Sequence, residues 1–516
     1  MTRPGVDPQR AHGRAVPRTD AEPVASFSRG ADDRSASSRE LARGVRLVLV
    51  VLSIALLSGV VPAGLIASIP STPRSDGWVL TLLVIVWAGF RLSLLWVNGA
   101  PRLFDYFFWL FTYIFMGIAP TAQIRSGLTS TTTPGVDPGL DVPTAGVLVL
   151  GLACYEIGRI AWLFYRYRVP RETPPVTRVH SGRTIILLVV SLAVSAYFVL
   201  RVGVAGSLGS REGAQAARAA AWPDPSVRAL FYAGAVYPLL VATGALAQLA
   251  RTASSSSARR LALFAAFGGG VVLLLIVNPI ASARYTFGTV LFALAVYLGA
   301  VATRRRARLT MLAGIVGFLL VFPIADAFRS DEVALSRAGF FDEYLSNPDY
   351  DAFWQIANAL AYWIDGHVVA LNQALGSLLF FVPRALWPTK PSDTGILLAE
   401  YRGYSFDNLS APMWAEGLVN GGVFAVAVTF LVMGVILPAM DARILPAFGR
   451  GGAWAIVGAV FPVYMTILLR GSLLQATGAL AISILCVLFV RDRSSDGPEL
   501  SPARAEPASA GSPPAR

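Results

Sequence analysis

The chain is poor in charged, histidine and cysteine residues. Only 14% of its 516 residues are charged, against roughly a quarter in water-soluble domains. Three histidines are too few for a multi-histidine metal site, and the two cysteines, Cys154 and Cys486, lie inside apolar segments without metal-type spacing. The sequence also lacks a Walker loop, a G-x-G-x-x-G string after a strand and an H-E-x-x-H string. It therefore predicts no cofactor or metal site, and it argues against a soluble enzyme and an ATP-driven pump.

Apolar residues make up 55% of the chain and are collected in long runs. A bilayer core of about 30 Å needs roughly 20 apolar residues in a helix. Twelve segments meet this requirement: 44–66, 78–97, 103–120, 144–165, 184–203, 229–250, 261–280, 286–303, 309–326, 418–440, 453–469 and 471–490. The sequence predicts an all-α polytopic membrane protein with about twelve transmembrane helices over residues 44–490, and disordered cytoplasmic tails over 1–43 and 491–516.

The basic residues predict the orientation of these helices. The formal net charge is +12, and arginines cluster in the N-terminal tail and after the fourth, sixth and eighth segments. All these regions lie on one side of a twelve-span chain, and cytoplasmic loops are enriched in Lys and Arg. This side is therefore predicted to be cytoplasmic, with both termini on it. The positive charge is attributed to topology, so no nucleic-acid partner is expected.

One connection on the predicted outer side is much longer than a link between helices requires. It covers 327–417 and contains aromatic, amphipathic sequence, which is not typical of disorder. Amphipathic helices that lie in the interface or dip back into the membrane are expected here. The alternative is a thirteenth span over 366–382, but a single added span would reverse the orientation of everything that follows.

Arginines on the outer side run against the positive-inside rule and are the first candidates for function. Four are expected there: Arg284, Arg470, Arg211 and Arg329. Their guanidinium groups suit a phosphate or pyrophosphate, which they can bind in a bidentate manner. The alternative is that each side chain snorkels to the interface. A second set inside the apolar segments is expected to form structural pairs or to lie at the cytoplasmic edge: Arg91, Asp105, Glu156 and Arg159.

The long outer loop contains a proline-rich string, FVPRALWPTKPSDTG. It holds Arg384, Trp387 and Lys390, the only lysine of the chain, between prolines that restrict the backbone. Two cations beside an indole suit a phosphosugar, with the cations on the phosphate and the aromatic face on the sugar ring. The string therefore predicts a substrate-binding turn.

Acid and base candidates occur at two further places in this loop. Glu416 and Asn420 lie in SAPMWAEGLVNGG at the head of the tenth segment, where partial burial would raise the pKa of a carboxylate toward that of a general base. The alternative for Glu416 is an acid that stabilises a helix N-terminus. Asp365 and His367, in YWIDGHVV, are the rival acid/base pair.

The two loop strings resemble those of the oligosaccharide repeat-unit polymerases, the Wzy-type O-antigen polymerase family. Members commonly show P-R-x-x-W-P-x-K-P followed by Glu and Asn-Gly at the next helix. The matching residues are Pro383, Arg384, Trp387, Pro388, Lys390, Pro391, Glu416, Asn420 and Gly421. Short outer turns with arginines, here Arg284 and Arg470, are also similar. The specific match covers about forty residues, and the tails and the Ser-rich inner loop lie outside it.

The resemblance implies a metal- and nucleotide-independent glycosyltransferase of the bacterial cytoplasmic membrane, acting on its outer face with a GT-C-like architecture. The donor and acceptor would be undecaprenyl-pyrophosphate-linked oligosaccharides, with membrane lipids, a flippase and a chain-length regulator as further partners. On this reading Arg284, Arg470 and Arg211 bind the pyrophosphate, and Glu416 or His367 is the base.

Three other functions remain open at this stage. A glycosyltransferase that uses a polyprenyl monophosphate sugar usually carries an acidic pair in its first outer loop, where this chain has only Asp76. An O-antigen ligase shares the arginine-plus-loop layout and would use a histidine of the large loop. A flippase or secondary transporter is the alternative from another class, although the sequence shows no convincing internal repeat.

Overall fold

The computed structural model describes residues 44–169, 177–321, 341–407 and 409–492. The chain divides into two compact units, Met1–Leu52 and Ser53–Arg516. The described part of the first unit is helical, and the contacts given below belong to the second. The regular elements of the described residues are helices. Outside the helices, the described backbone forms one isolated β-bridge, between Val179 and Arg491.

Eighteen helices follow one another along the described chain. They are α1 Gly44–Ser68, α2 Gly77–Asn98, α3 Leu103–Arg125, α4 Pro138–Arg168, α5 Ser181–Val202, α6 Val204–Leu208, α7 Arg211–Ala221, α8 Pro225–Thr252, α9 Ser256–Ile276, α10 Arg284–Tyr297, α11 Arg304–Val316, α12 Glu343–Ser346, α13 Ala352–Ile364, α14 Asn372–Leu378, α15 Thr394–Arg402, α16 Met413–Arg450, α17 Ala453–Arg470 and α18 Leu473–Val490.

Ten of the described helices are long and apolar enough to cross a membrane: α1 to α5, α8, α9 and α16 to α18. The prediction of a polytopic helical membrane protein is confirmed, and the described residues contain ten such helices where the sequence predicts twelve. The segment 286–303 contains only the 14-residue α10. The segment 309–326 overlaps α11, which begins with three consecutive arginines and continues as a short π-helix, Gly317–Val321. Residues 366–382 contain only the seven-residue α14, which is too short to cross a bilayer.

The helix α3 is enclosed by other helices along its whole apolar length. Every residue of its most apolar window is buried, and it packs against α2, α16 and α17. The sequence LFDYFFWLFTYIFMGIAP has apolar residues on all sides, as expected of a helix without a solvent- or lipid-facing stripe. Pro120 follows a π-helical segment, Thr112–Ile118, because proline cannot donate the regular helical hydrogen bond.

The ion pairs predicted among the charged residues of the spans are present. Arg91 contacts Asp105 at 3.1 Å and Glu156 at 2.9 Å, and Glu156 also accepts from Arg159 at 2.6 Å. Asp105 additionally accepts from the hydroxyl of Tyr155 at 2.9 Å. These side chains neutralise one another inside the helical unit, so the prediction of structural pairs is confirmed.

The connections between helices form two sets of contacts in the second unit. Connections predicted to be outer contact other outer ones, as in the bonds Gln123 to Tyr344, Arg402 to Gly135 and Asn278 to Ser207. Connections predicted to be inner contact other inner ones, as in Trp96 to Arg308, Arg251 to Phe448 and His180 to Val490. These contacts agree with the grouping of connections that the sequence predicts.

Candidate functional site

Two of the predicted outer arginines, Arg284 and Arg470, meet at the start of the long loop. Arg284 is the first residue of α10, and its Nη1 lies 3.3 Å from Oδ2 of Asp349. Arg470 is the last residue of α17, and its Nη2 lies 3.2 Å from Oδ1 of Asp349 and 3.3 Å from Oδ1 of Asp351. Its Nε donates to the backbone carbonyl of Asp349 at 3.1 Å. One carboxylate thus bridges two guanidinium groups that come from distant parts of the chain.

The two aspartates are held by local structure. Asn347 caps a 3-10 turn, Pro348–Tyr350, by accepting the backbone N–H of Asp349 at 2.9 Å. Asp351 then stands at the N-terminus of α13, and its Oδ2 accepts the backbone N–H of Ser410 at 2.9 Å. The segment is therefore fixed before any ligand binds, as a site that must place charge accurately requires.

The arginine–aspartate cluster is largely shielded from solvent. The exposed fractions of the side chains are 8% for Arg284, 19% for Arg470, 3% for Asp351 and 27% for Asp349. Burial lowers the pKa of Arg284, which Asp349 opposes, and raises the pKa of Asp351, which Arg470 opposes. Asp349 is the member of the cluster that is most open to an incoming molecule.

Arg211 lies within electrostatic reach of this cluster. It begins α7, which is capped by the side chain of Ser210. Its positive charge acts on Arg284 in the same direction as burial and lowers the pKa of that guanidinium further. Arg211 is therefore a third cation whose charge acts on the arginine–aspartate cluster. Arg329, the fourth predicted arginine, lies outside the described residues.

The proline-rich turn uses its cations to hold its own backbone. Arg384 donates from Nη1 to the carbonyl of Lys390 at 2.7 Å, and the Nζ of Lys390 donates to the carbonyls of Phe380 and Val382 at 2.7 and 3.0 Å. Trp387 is half-buried beside them. These hydrogen bonds of Arg384 and Lys390 lie within the turn and do not join them to Arg284 or Arg470.

Glu416 and Asn420 are buried at a break in α16. The helix turns sharply at Gly421 and Gly422, whose backbone angles are not helical. Glu416 is 2% exposed, and its Oε1 accepts the N–H of Leu473 at the first turn of α18 at 2.9 Å. Asn420 is 7% exposed, and its Oδ1 accepts the N–H of Ala374 at 2.8 Å. Both side chains join helix ends, which is the structural role that the sequence left open for Glu416.

Asp365 and His367 lie together at the exposed end of α13. The side chains of both are exposed, and Asp365 accepts a hydrogen bond from the hydroxyl of Tyr401. The ring of His367 lies 5.3 Å from that of Tyr362 and 5.4 Å from that of Tyr401. The pKa of Tyr401 is raised to about 12, by burial first and then by its bond to Asp365. Of the acid/base residues predicted from the sequence, Asp365 and His367 are therefore exposed, whereas Glu416 is buried.

Sequence reasoning missed Asp349, Asp351, Tyr362 and Tyr401. A sequence signal existed for the first two, because two aspartates in SNPDYDAF immediately precede an aromatic amphipathic helix. No local signal connects Tyr401 with Asp365, because they lie on different helices. Among the described residues, no group of three or more His, Cys, Asp or Glu side chains is arranged to hold a metal ion.

No protein-family model matches this chain, and neither a curated protein nor a solved structure matches it. The resemblance to the repeat-unit polymerases therefore depends on the loop strings and the outer arginines alone.

Proposed function

We propose that the protein is a membrane glycosyltransferase that joins polyprenyl-pyrophosphate-linked oligosaccharides into a longer polysaccharide at the outer face of the bacterial cytoplasmic membrane. The observation that supports this most is the meeting of Arg284 and Arg470 at Asp349, with Arg211 within electrostatic reach. A pyrophosphate leaving group needs cations that are already positioned, and arginines from three separate connections provide them.

In the proposed reaction, Arg284 and Arg470 exchange their bonds to Asp349 for bonds to the donor pyrophosphate. A hydroxyl of the acceptor sugar attacks the anomeric carbon, and the bond from that carbon to the pyrophosphate oxygen breaks. The electron pair leaves with the pyrophosphate, whose charge the guanidinium groups stabilise. The proton of the attacking hydroxyl passes to Asp349, which the arginines have released and which is more exposed than Glu416.

The experiment that tests the proposal is reconstitution of the purified protein with lipid-linked repeat units. Glycan products are separated by length, and the wild type is expected to give a ladder of lengthened chains. Arg284→Ala and Arg470→Ala are expected to slow the ladder at least about tenfold each, since a hydrogen bond to a charged group contributes about 1.5–3 kcal/mol. Asp349→Asn keeps the size of the side chain but removes its basicity, so it is expected to abolish the ladder.

Arg201→Ala is the matched control, because Arg201 is an exposed arginine at the same predicted side and donates to the carbonyl of Ala221 instead of a carboxylate. It is expected to leave the ladder unchanged. Transfer of a single unit without a ladder would indicate a ligase, and movement of lipid-linked units without new linkages would indicate a flippase. Either result would refute the polymerase proposal.

A further inference from the structure

We infer that the cluster of Tyr362, His367 and Tyr401 with Asp365 is a binding site for an uncharged sugar of the acceptor glycan. The inference rests on the proposed function for the identity of this ligand as an acceptor. The site itself is argued from the rings, the carboxylate and the helix ends that hold them, and it is separate from the arginine–aspartate cluster.

The end of α13 fixes the position of His367. Gly366 has a left-handed backbone, with φ of 76°, and its N–H donates to the carbonyl of Trp363 at 3.1 Å. The N–H of His367 donates to the carbonyl of Tyr362 at 3.2 Å, which completes a Schellman motif. This motif brings the side chain that follows the turn against the last helical turn, so the imidazole lies beside the ring of Tyr362.

The end of α15, which is also a Schellman motif, positions the third ring, that of Tyr401. Gly403 has φ of 68° and donates to the carbonyl of Glu400 at 3.2 Å, and Tyr404 donates to the carbonyl of Ala399 at 2.9 Å. The Nδ2 of Asn358, on α13, donates to the hydroxyl oxygen of Tyr404 at 3.4 Å, and this hydrogen bond joins α13 to the end of α15. The ring of Tyr401 is consequently held 5.2 Å from that of Tyr362, nearly perpendicular to it.

The resulting surface combines aromatic faces with a hydrogen-bond acceptor. Tyr362 and Tyr401 are partly exposed, and Asp365 and His367 are exposed. Aromatic rings offer a large apolar contact area at little loss of side-chain freedom, and a carboxylate accepts hydrogen bonds from hydroxyl groups. A sugar presents both an apolar C–H face and hydroxyl donors, so it matches this surface.

The charge of the site selects against an anionic ligand. Two helices end here, and helix C-termini carry partial negative charge, to which Asp365 adds a full negative charge. The nearby cation, Arg402, donates its Nη2 to the carbonyl of Gly135 at 2.6 Å. A phosphate would be repelled, whereas hydroxyl donors would be favoured. The pyrophosphate of the donor is thus assigned to the arginine–aspartate cluster, and the neutral sugars of the acceptor to this surface.

The separation of the two places fits an extended acceptor glycan whose reacting end lies at the arginine–aspartate cluster. Asp351 stands at the start of α13 and Asp365 at its end, which places them about 20 Å apart at about 1.5 Å per residue. This distance exceeds one sugar ring and suits a glycan of several sugars that contacts both places, because α13 itself is buried from Ala352 to Leu360. It also argues that Asp365 and His367 contact the glycan at a distance from the bond that is made.

The test is binding of the full-length, detergent-solubilised protein to an array of immobilised bacterial oligosaccharides. The wild type is expected to bind a subset of them. Tyr401→Ala and Tyr362→Ala are expected to weaken this binding at least about fivefold, whereas Tyr401→Phe, which keeps the ring, is expected to stay within about threefold. Phe381→Ala is the matched control, since Phe381 is a 69% exposed aromatic residue of the same loop outside the cluster.

Absence of binding by the wild type would overturn the inference, as would equal binding by the wild type and both alanine variants. An equal loss in Phe381→Ala would also overturn it, because the contact would then be non-specific. The assay uses free glycans and no lipid-linked donor. A protein that binds the array but forms no ladder would refute the proposed polymerase and leave the sugar site intact, and the reverse result would refute only the sugar site.

Discussion

At the scale of single residues, the position of Asp349 decides how the arginines can be used. Its carboxylate contacts Arg284 and Arg470 at 3.3 and 3.2 Å, and 27% of its side chain is exposed. A substrate pyrophosphate has more negative charge and more oxygen atoms than one carboxylate. In our proposal it therefore competes for both guanidinium groups at once, and the displaced Asp349 becomes available as a base only when the donor is present.

Glu416 illustrates how burial separates a structural role from a catalytic one. The sequence places it at a membrane boundary, where a carboxylate is a reasonable base. The structure gives it 2% exposure and a hydrogen bond from the backbone of Leu473, at the N-terminus of α18. We therefore propose that this carboxylate stabilises the helix end, and its role as the base stays a prediction.

Two substitutions at Glu416 distinguish these roles. Glu416→Gln still accepts the bond from Leu473, so activity in the ladder assay is expected to stay within about threefold of the wild type. Glu416→Ala leaves a buried N–H without its partner and is expected to lower the free energy of unfolding by about 1–3 kcal/mol. Both are measured by ladder formation and by thermal unfolding in detergent. A folded Glu416→Gln protein without activity would return the role of base to Glu416.

At the scale of elements, the break in α16 determines the placement of Glu416 and Asn420. Gly422 has φ of 64° and ψ of −154°, a conformation that is essentially restricted to glycine. An added Cβ there would lie 2.3 Å from Nε1 of Trp363, on α13. The turn of the chain at this point therefore depends on a glycine for both its backbone angles and its contact with α13.

Gly422→Ala is expected to destabilise the protein, because both the left-handed backbone and the contact with Trp363 oppose a side chain. A strained backbone of this kind costs about 1–3 kcal/mol, so the midpoint of thermal unfolding should fall by about several degrees. Gly146→Ala in α4 is the control, since an added Cβ there meets nothing within 4 Å. Equal midpoints for the two variants would contradict this account of the break.

The elements were partly predictable from the sequence. Ten of the twelve predicted segments correspond to helices long enough to span, because a run of about 20 apolar residues has few other stable arrangements. In the segment 286–303, the run of apolar residues does not show where the helix ends and the loop begins. Its helix α10 covers only 14 residues. The break at Gly421 and Gly422 was not predicted, because a Gly-Gly pair is tolerated in membrane helices and becomes a turn only through its neighbours.

At the scale of the whole molecule, the distribution of charge predicts the topology but not the site. The +12 net charge follows from arginines in the connections predicted to be cytoplasmic. The sequence singles out Arg284 and Arg470 because it predicts them on the other side. Their partners in the 327–417 loop are not predicted, since pairing between residues more than sixty positions apart leaves no periodic signal in one sequence.

The folded loop gives Arg384 and Lys390, which the sequence predicts to bind a phosphosugar, hydrogen bonds within their own turn. In the sequence, two cations next to a tryptophan are typical of a phosphosugar site. In the folded loop they satisfy the carbonyls of Phe380, Val382 and Lys390, which an irregular turn leaves without helical partners. The pyrophosphate role is therefore carried in our proposal by the arginines of the short turns.

The most direct test of the account is the affinity of the purified protein for undecaprenyl pyrophosphate, measured by native mass spectrometry in detergent. The wild type is expected to bind it more tightly than undecaprenyl monophosphate. The double substitution Arg284→Ala and Arg470→Ala is expected to weaken binding at least about a hundredfold, while Arg201→Ala leaves it unchanged. Equal affinity of the wild type and the folded double variant would contradict the assignment of the pyrophosphate to this cluster.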